Sequence, residues 1–241
     1  MRNIVCLLTY RPSIIWLDFL SKFKHYEVVV IVDDILFDLS IIKEKYSSLI
    51  FFQIKDDICE KAGYKNSSTA MQHKPSIAWD KAFYYFITQY PKEKIKHIWF
   101  VEDDVYFYNE EILINLDNSH YSADLLCKNV TKYNKPKNKW QWGNVHIEYG
   151  QPLYSSMICV CRLSLALLNQ IENYVNTHKT LCFIEALIST LCFKNKLIFK
   201  TNERFNNIVW RKNYSINETN KTHLFHPVKD CNLQFEFRNN L

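Results

Sequence analysis

The chain has 241 residues, of which 48% are hydrophobic and 23% are charged, and its formal net charge is +5. This composition excludes a disordered chain, and the length is that of one large domain. No apolar run approaches the roughly 20 residues of a membrane-spanning helix. The charge is too small to predict a nucleic-acid-binding protein, although it is compatible with an anionic ligand such as a nucleotide.

Cysteine and glycine usage narrows the possible classes further. The eight cysteines are scattered without a Cys-x-x-Cys motif, and the first residues have too short an apolar stretch for a secretory signal. We therefore expect reduced thiols in a cytoplasmic protein. The three glycines, Gly63, Gly143 and Gly150, cannot form a Walker A loop or a Gly-x-Gly-x-x-Gly turn, which excludes P-loop kinases and classical dinucleotide-binding folds.

The first part of the chain alternates apolar runs with segments of helical periodicity. Continuous apolar strands that alternate with helices indicate a parallel sheet covered on both faces. Pro75 is expected in the first turn of the predicted helix at 75–90. N–H groups in the first turn have no partner within the helix, so proline, which has no N–H, is tolerated there. The predicted elements are strands at 3–9, 27–32 and 49–54, helices at 14–23, 41–46 and 75–90, and a surface loop that ends at residue 68.

The next apolar run, residues 97–101, ends in the three consecutive carboxylates Glu102, Asp103 and Asp104. Its β-branched and aromatic residues predict a short buried strand. Adjacent carboxylates raise each other's pKa, so they are costly at the edge of a core unless a cation neutralises them. The alternative, a solvated acidic turn, is disfavoured by the apolar residues on both sides. The run therefore predicts a divalent-metal site.

Three predicted strands end in polar residues: residues 9–11 follow the first strand, 33–34 follow the second, and 102–104 follow the acidic one. In open α/β sheets, ligands bind beyond the carboxyl ends of the strands. We therefore expect these three segments to lie along one rim of the sheet and to form a ligand site.

The second part of the chain is predicted to contain a strand at 154–161 and helices at 163–174 and 184–193. A basic loop from 132 to 143 contains a proline and two tryptophans. It is interpreted as a solvated loop or as a lid over a substrate, and a nucleic-acid patch is a weaker alternative because neither charge nor motif supports it.

Three further residues are chemically distinctive. Glu185 is an acid in an otherwise apolar stretch, where it is either a helix-start carboxylate favoured by the helix dipole or a functional group. His226, followed by Pro227, is a candidate metal ligand, and Lys229 is a candidate phosphate-binding group.

Taken in order, these segments resemble the metal-dependent GT-A glycosyltransferases and, more loosely, the small glycosyltransferases of large DNA viruses of the chlorella-virus type. The resemblance spans nearly the whole chain, and it rests on residues 8–12, 33–34, 74–82, 102–104 and 226–229. It implies one GT-A-like (Rossmann-like) α/β domain over 1–241, with a mostly parallel central sheet and helices on both faces. Residues 1–107 would be the nucleotide-binding half, and 108–241 the acceptor half with a metal-binding tail.

The resemblance also implies roles for individual residues. Asp104 and His226 would bind Mn²⁺ or Mg²⁺, and Glu185 would be the catalytic base, with Glu148 and Asp80 as the next candidates. Glu102 replaces the usual first Asp of an Asp-x-Asp motif. The residues expected at the nucleotide-sugar are Thr9, Tyr10, Arg11, Asp33, Asp34, Lys74, Trp79, Lys81, Glu102, Asp103 and Lys229.

The implied reaction is transfer of a sugar from a nucleotide-diphosphate-sugar, with a UDP-sugar favoured, to a hydroxyl of a glycan or another acceptor. One alternative is a nucleotidyltransferase that makes a nucleotide sugar, but such enzymes usually have a Gly-rich loop near the first strand, which this chain lacks. The other is a non-catalytic nucleotide- or sugar-binding module, which would bind donor and metal without turnover. No nucleic-acid partner and no membrane span are expected.

Overall fold

A computed structural model describes residues 1–68, 74–133 and 152–240. Its strands are β1 (Arg2–Thr9), β2 (Glu27–Val32), β3 (Ile50–Gln53), β4 (Ile95–Glu102), β5 (Leu125–Leu126), β6 (Thr131–Tyr133), β7 (Leu153–Ser155), β8 (Val160–Ser164), β9 (Phe199–Lys200), β10 (Asn207–Ile208) and β11 (Phe225–His226). Its α-helices are α1 (Ile14–Leu20), α2 (Ser40–Lys45), α3 (Asp56–Lys61), α4 (Ala78–Thr88), α5 (Glu111–Ser119), α6 (Leu165–His178), α7 (Ile184–Lys194) and α8 (Cys231–Asn240).

The central sheet has seven strands in the order β3-β2-β1-β4-β8-β5-β9. Strands β3, β2, β1 and β4 pair in parallel, and β9 pairs in parallel with β5, whereas β8 runs antiparallel to both of its neighbours, β4 and β5. Strands β10 and β11 form a small parallel pair, and β6 and β7 a small antiparallel pair. The predicted α/β class with a mostly parallel central sheet is confirmed.

Apolar side chains alternate across β1 and supply a core on each face of the sheet. Ile4, Cys6 and Leu8 pack with residues of α4, α6 and α7 on one face. Val5 and Leu7 pack with residues of α1 and α5 on the other. Helices therefore cover both faces, as predicted, and the two cores share one sheet within a single domain.

Helix α4 begins at Ala78, so the prediction that Pro75 lies in its first turn is wrong. The carbonyl of Pro75 accepts a hydrogen bond from the amide of Asn66 at 2.7 Å, before the helix starts. The carboxylate of Asp80 accepts from the amide of Ile77 at 2.9 Å and so satisfies a donor at the helix start. The helix therefore begins three residues later than predicted.

The predicted strand at 154–161 is also wrong, because the segment contains two separate strands, β7 and β8. Strand β8 continues to Ser164, whose hydroxyl accepts a hydrogen bond from the amide of Leu167 at 3.2 Å and caps α6. Residue 163 is therefore in a strand and not in a helix, and α6 extends to His178. The predicted surface loop before residue 68 contains the short helix α3, and α5 and α8 were not predicted.

A third apolar cluster attaches the C-terminal segment beside the end of β4. Tyr106 and Phe225 exchange backbone hydrogen bonds of 2.8 and 2.9 Å, and the amide of Val228 donates to the carbonyl of Asp104 at 2.7 Å. From α8, the side-chain amide of Gln234 donates to the carbonyl of Asp103 at 2.9 Å. This wrapping brings His226 to the acidic turn that follows β4. None of the described helices has both the length and the apolar character to cross a membrane.

Candidate active site

The carboxyl ends of β1 and β4 lie side by side, with Leu8 paired to Glu102. The chain leaves β1 toward β2 on one side, whereas β4 lies on the other side, so this is a point where the strand order reverses. The hydroxyl of Thr9 donates to the carboxylate of Asp103 at 2.5 Å and bridges the two strand ends. Such switch points are where open α/β sheets bind ligands.

A cavity of about 1030 Å³ opens on the β4 side of this point. Its volume is at the upper end of the range of small-molecule sites. Six of the predicted site residues line it, although they lie far apart in the sequence: Trp79, Glu102, Asp104, Glu185, His226 and Lys229.

Asp104 and His226, the predicted metal ligands, are neighbours in the cavity wall. Nε2 of His226 lies 3.3 Å from Oδ1 of Asp104, and this oxygen is buried without a well-aligned hydrogen bond from the described residues. Nδ1 of His226 donates to the carbonyl of Val209 at 2.8 Å, which leaves the lone pair of Nε2 on the side of Asp104. Burial lowers the pKa of His226, but Asp104, the carbonyl of Val209 and the charge of Glu102 together raise it above its ordinary value.

Glu102 is held in place by the indole of Trp79, whose Nε1 donates to Oε1 of Glu102 at 2.7 Å. The indole in turn packs against Phe83 and Phe100, at centroid distances of 5.8 and 5.4 Å. Burial and the charge of Asp104 raise the pKa of Glu102. Trp79 therefore orients a carboxylate as well as lining the cavity.

Glu185 lies in the first turn of α7 and is buried in the cavity wall. Burial and the nearby Glu102 carboxylate raise its pKa to about 8, and His226 opposes this shift. Glu185 is therefore both a carboxylate at a helix start and a residue of the cavity wall, so its position is compatible with either interpretation.

The acids of this cavity have no lysine or arginine ion-pair partner among the described residues. Glu102 and Glu185 form no salt bridge there, and Asp104 approaches only the imidazole of His226. Close carboxylates disfavour one another's charge, and a divalent cation relieves that cost. The buried oxygen of Asp104 and the oriented nitrogen of His226 are donors of the type that Mn²⁺ accepts, so these residues fit the predicted ion.

Six of the remaining predicted residues form a second cluster beside the ends of β1 and β2, which does not line the cavity, whereas Thr9 and Asp103 bridge the ends of β1 and β4. Nη2 of Arg11 lies 2.6 Å from Oδ2 of Asp34, and Nζ of Lys74 lies 2.5 Å from Oδ2 of Asp33. The amide of Leu36 and the guanidinium of Arg11 hold the pKa of Asp34 below its usual value. We refer to Tyr10, Arg11, Asp33, Asp34, Lys74 and Lys81 as the paired rim.

Lys81 is the most buried member of the paired rim. Its Nζ lies 2.7 Å from Oδ1 of Asp33 and 2.6 Å from Oδ1 of Asp56, and it donates to the carbonyl of Asp33 at 2.6 Å. Its contacts in the described residues are thus with protein carboxylates and a carbonyl. Tyr10, by contrast, is exposed and faces the guanidinium of Arg11 and the ammonium of Lys74.

Several residues of the cavity were not predicted from the sequence. Cys159 stands next to Glu102 across the β4–β8 pair, but the sequence reveals this only once the strand pairing is known. Trp210, Arg211 and Lys212 lie at the mouth of the cavity, where all three are exposed. The only sequence signal for these three residues was that a tryptophan is followed directly by two basic residues. Residues 134–151, which include most of the predicted lid and Glu148, lie outside the described residues.

Comparison with known proteins finds similar solved structures but no match among family models or curated proteins. One similar solved structure is the 4-diphosphocytidyl-2C-methyl-D-erythritol synthase of Anaerococcus prevotii, 11% identical, with a TM-score of 0.45, covering 83% of this chain and 85% of that one. Another is mouse xyloside xylosyltransferase 1 in its apo form, 14% identical, with a TM-score of 0.40, covering 83% and 84%. At these scores the likeness carries no functional argument.

Proposed function

We propose that the protein transfers a sugar from a nucleotide-diphosphate-sugar to an acceptor hydroxyl, with a divalent cation at Asp104 and His226. One observation carries the proposal: Glu102, Asp104, Glu185 and His226 converge in a cavity of about 1030 Å³ at the switch point of the sheet. A cavity that collects acids without basic partners is suited to a cation and, through it, to an anionic ligand.

Asp104 supplies a carboxylate oxygen and His226 an imidazole nitrogen, a mixture that suits Mn²⁺ somewhat better than Mg²⁺. When bound, the ion would supply Lewis-acid stabilisation of the negative charge that builds on the departing nucleoside diphosphate. Lys229 and Arg211, both exposed at the cavity mouth, are proposed to bind phosphate oxygens.

Glu185 is proposed to accept the proton of the acceptor hydroxyl as that hydroxyl attacks the sugar. A carboxylate serves as a general base when it lies within hydrogen-bond reach of the proton that it takes. With a pKa of about 8 in the cation-free cavity, Glu185 has a higher proton affinity than an exposed glutamate. The paired rim extends the surface beside the switch point and is proposed to bind the base and ribose of a UDP-sugar.

The metal site is tested by calorimetric titration of UDP in Mn²⁺ and in EDTA. We expect EDTA and Asp104→Asn to abolish the metal-dependent binding, and His226→Ala to weaken it at least about tenfold because one ligand is lost. Asp230→Asn, which removes the same charge from an exposed position at the cavity mouth, is the matched control and should bind normally. Equal affinity for UDP in Mn²⁺ and in EDTA would refute the metal site.

The transfer reaction is tested separately with a panel of nucleotide sugars. Water can take the place of the acceptor hydroxyl, so release of nucleoside diphosphate without an added acceptor is the first readout, and an acceptor screen follows. A nucleotidyltransferase would instead join a nucleoside triphosphate to a sugar 1-phosphate and release pyrophosphate from the triphosphate. A non-catalytic module would bind donor and metal but release neither product.

A further inference from the structure

The thiol of Cys159 lies in the cavity wall, and the proposed reaction does not use it. Cys159 immediately precedes β8 and continues the antiparallel pairing with β4, since the amide of Glu102 donates to the carbonyl of Cys159 at 2.9 Å. The two residues are therefore cross-strand neighbours. Only 8% of Cys159 is exposed to solvent, and that part faces the cavity.

Three potential ligand atoms meet at this point. A carboxylate oxygen of Glu102, Sγ of Cys159 and a ring nitrogen of His226 all lie within 4.8 Å of one another. Zinc binds oxygen and nitrogen at about 2.0–2.2 Å and sulfur at about 2.3 Å, so its tetrahedral ligands lie roughly 3–4 Å apart. Small side-chain rotations would bring these three atoms onto one ion.

Two of the three ligands are already oriented by a second partner. The indole of Trp79 donates to Oε1 of Glu102, and the carbonyl of Val209 accepts the Nδ1 proton of His226, which leaves Nε2 on the side of Asp104. Such outer contacts set the direction of metal ligands and raise their affinity.

We infer that Glu102, Cys159 and His226 form a three-ligand site for a transition-metal ion of the zinc class. A thiolate together with an imidazole selects Zn²⁺ and Co²⁺ over Mg²⁺, which prefers oxygen, and three protein ligands leave a fourth position open. On binding, the thiol of Cys159 releases its proton to solvent, and the thiolate donates its electron pair to the ion. The carboxylates of Asp104 and Glu185 add negative charge around the thiol.

This site would regulate the proposed reaction, because it shares His226 with the proposed Mn²⁺ position. A ring nitrogen binds one ion at a time, so zinc on Glu102, Cys159 and His226 withdraws the imidazole from Asp104. Zinc is therefore expected to compete with Mn²⁺. The zinc site itself does not depend on sugar transfer, and its test needs no nucleotide.

The test is a titration of the full chain with Co²⁺ in the absence of nucleotide, followed by absorption spectroscopy. We expect the visible bands of four-coordinate Co²⁺ together with a thiolate-to-cobalt charge-transfer band. Zn²⁺ should remove both, and an excess of Mg²⁺ should not. Co²⁺ that binds without a charge-transfer band, or no binding at all, would overturn the proposal.

Two serine variants identify the thiol. Cys159→Ser should lose the charge-transfer band and bind Co²⁺ more than about 100-fold more weakly, since removing a direct ligand costs at least as much as removing an outer contact. Cys231→Ser, at the partly exposed start of α8, should keep the band. A band that persists in Cys159→Ser would assign the metal to another cysteine and overturn the proposal.

A third variant tests the site at another ligand, so that the conclusion does not depend on the folding of Cys159→Ser. Glu102→Gln retains an oxygen for the indole of Trp79 but loses the anionic ligand, and it should weaken Co²⁺ binding at least about tenfold while keeping the charge-transfer band. Unchanged affinity in this variant would remove Glu102 from the site. In the unmodified protein, the expected cobalt spectrum without any donor turnover would refute the proposed function alone. Donor turnover without the cobalt spectrum would refute the zinc site alone.

Discussion

The paired rim and the cavity lie on either side of the same switch point, and they handle charge in opposite ways. In the paired rim, each of the two acids has a basic partner: Arg11 binds Asp34, and Lys74 and Lys81 bind Asp33. In the cavity, Asp104 contacts the imidazole of His226, and neither Glu102 nor Glu185 forms an ion pair with a described residue. Carboxylates thus have lysine or arginine partners in one region and, among the described residues, none in the other.

The difference shows that an acidic strand end is not by itself a site. Asp33 and Asp34 follow β2 in the sequence much as Asp103 and Asp104 follow β4. Burial is costly for every one of these carboxylates, and what matters is which group offsets that cost. Where the protein supplies the cation, the acid is occupied, and where it supplies none, the acid remains available for an ion from solution.

The largest effect is expected at Glu185, in the region without basic partners. Glu185→Gln should keep the fold and donor affinity but lower transfer by about 10²- to 10⁴-fold, the usual contribution of a general base. Steady-state rates with the identified donor measure this change. Glu203→Gln, on the surface, is the control. Near-normal transfer by Glu185→Gln would place the base elsewhere and would assign Glu185 to the helix-start role.

A stability effect is expected in the paired rim. Lys81→Met should lower the free energy of unfolding by about 3 kcal/mol, because it leaves Asp33 and Asp56 without their shared cation. This value is at the low end for buried pairs, since the Asp56 side chain is 38% exposed. Chemical denaturation measures the change.

The matched control for Lys81→Met is Lys61→Met, which breaks the exposed pair with Asp57 one helical turn away. This variant should change stability by no more than about 0.5 kcal/mol. If both variants had equally small effects, Lys81 would not be a structural cation, and a direct role at the ligand would gain support.

A pH-dependent effect is expected at Asp80, which has hydrogen bonds but no basic partner among the described residues. Its carboxylate accepts from the amide and hydroxyl of Ser67 at 3.1 and 2.6 Å and from the amide of Ile77 at 2.9 Å. Burial raises its pKa to about 7, although these hydrogen bonds oppose the shift. Ser67 and Ile77 both line the cavity, so Asp80 anchors part of its wall.

Since the folded-state pKa of Asp80 lies above the unfolded value of about 4, the folded state binds the proton more tightly. Its contribution to stability should therefore fall as the pH rises from about 4 to about 7, by at most about 1.4 kcal/mol per pH unit. Denaturation curves of the protein and of Asp80→Asn across this range isolate the effect. A difference between them that does not change with pH would mean that the carboxylate is charged throughout.

The sequence by itself determined the class of the fold and the position of the rim. Strands β1, β2 and β4 are continuous apolar runs that no solvated segment would carry, so their burial on both faces follows from composition alone. Because parallel strands end at the same edge, the polar residues after them had to meet. The helix-start acid Glu185 was equally visible, since a charged residue stands out in an apolar helix.

Only the tertiary structure decided which of these acids has a partner. The pairing of Lys81 with Asp33 and Asp56, the meeting of Cys159 with Glu102, and the placement of His226 beside Asp104 each join residues from separate elements. No periodicity records such contacts, because a local pattern reports burial and not the identity of the neighbour. Helices α3 and α4 set the first of these distances, and strand β8 and the segment before α8 set the other two, so the chemistry of the site depends on long-range packing that the order of residues does not display.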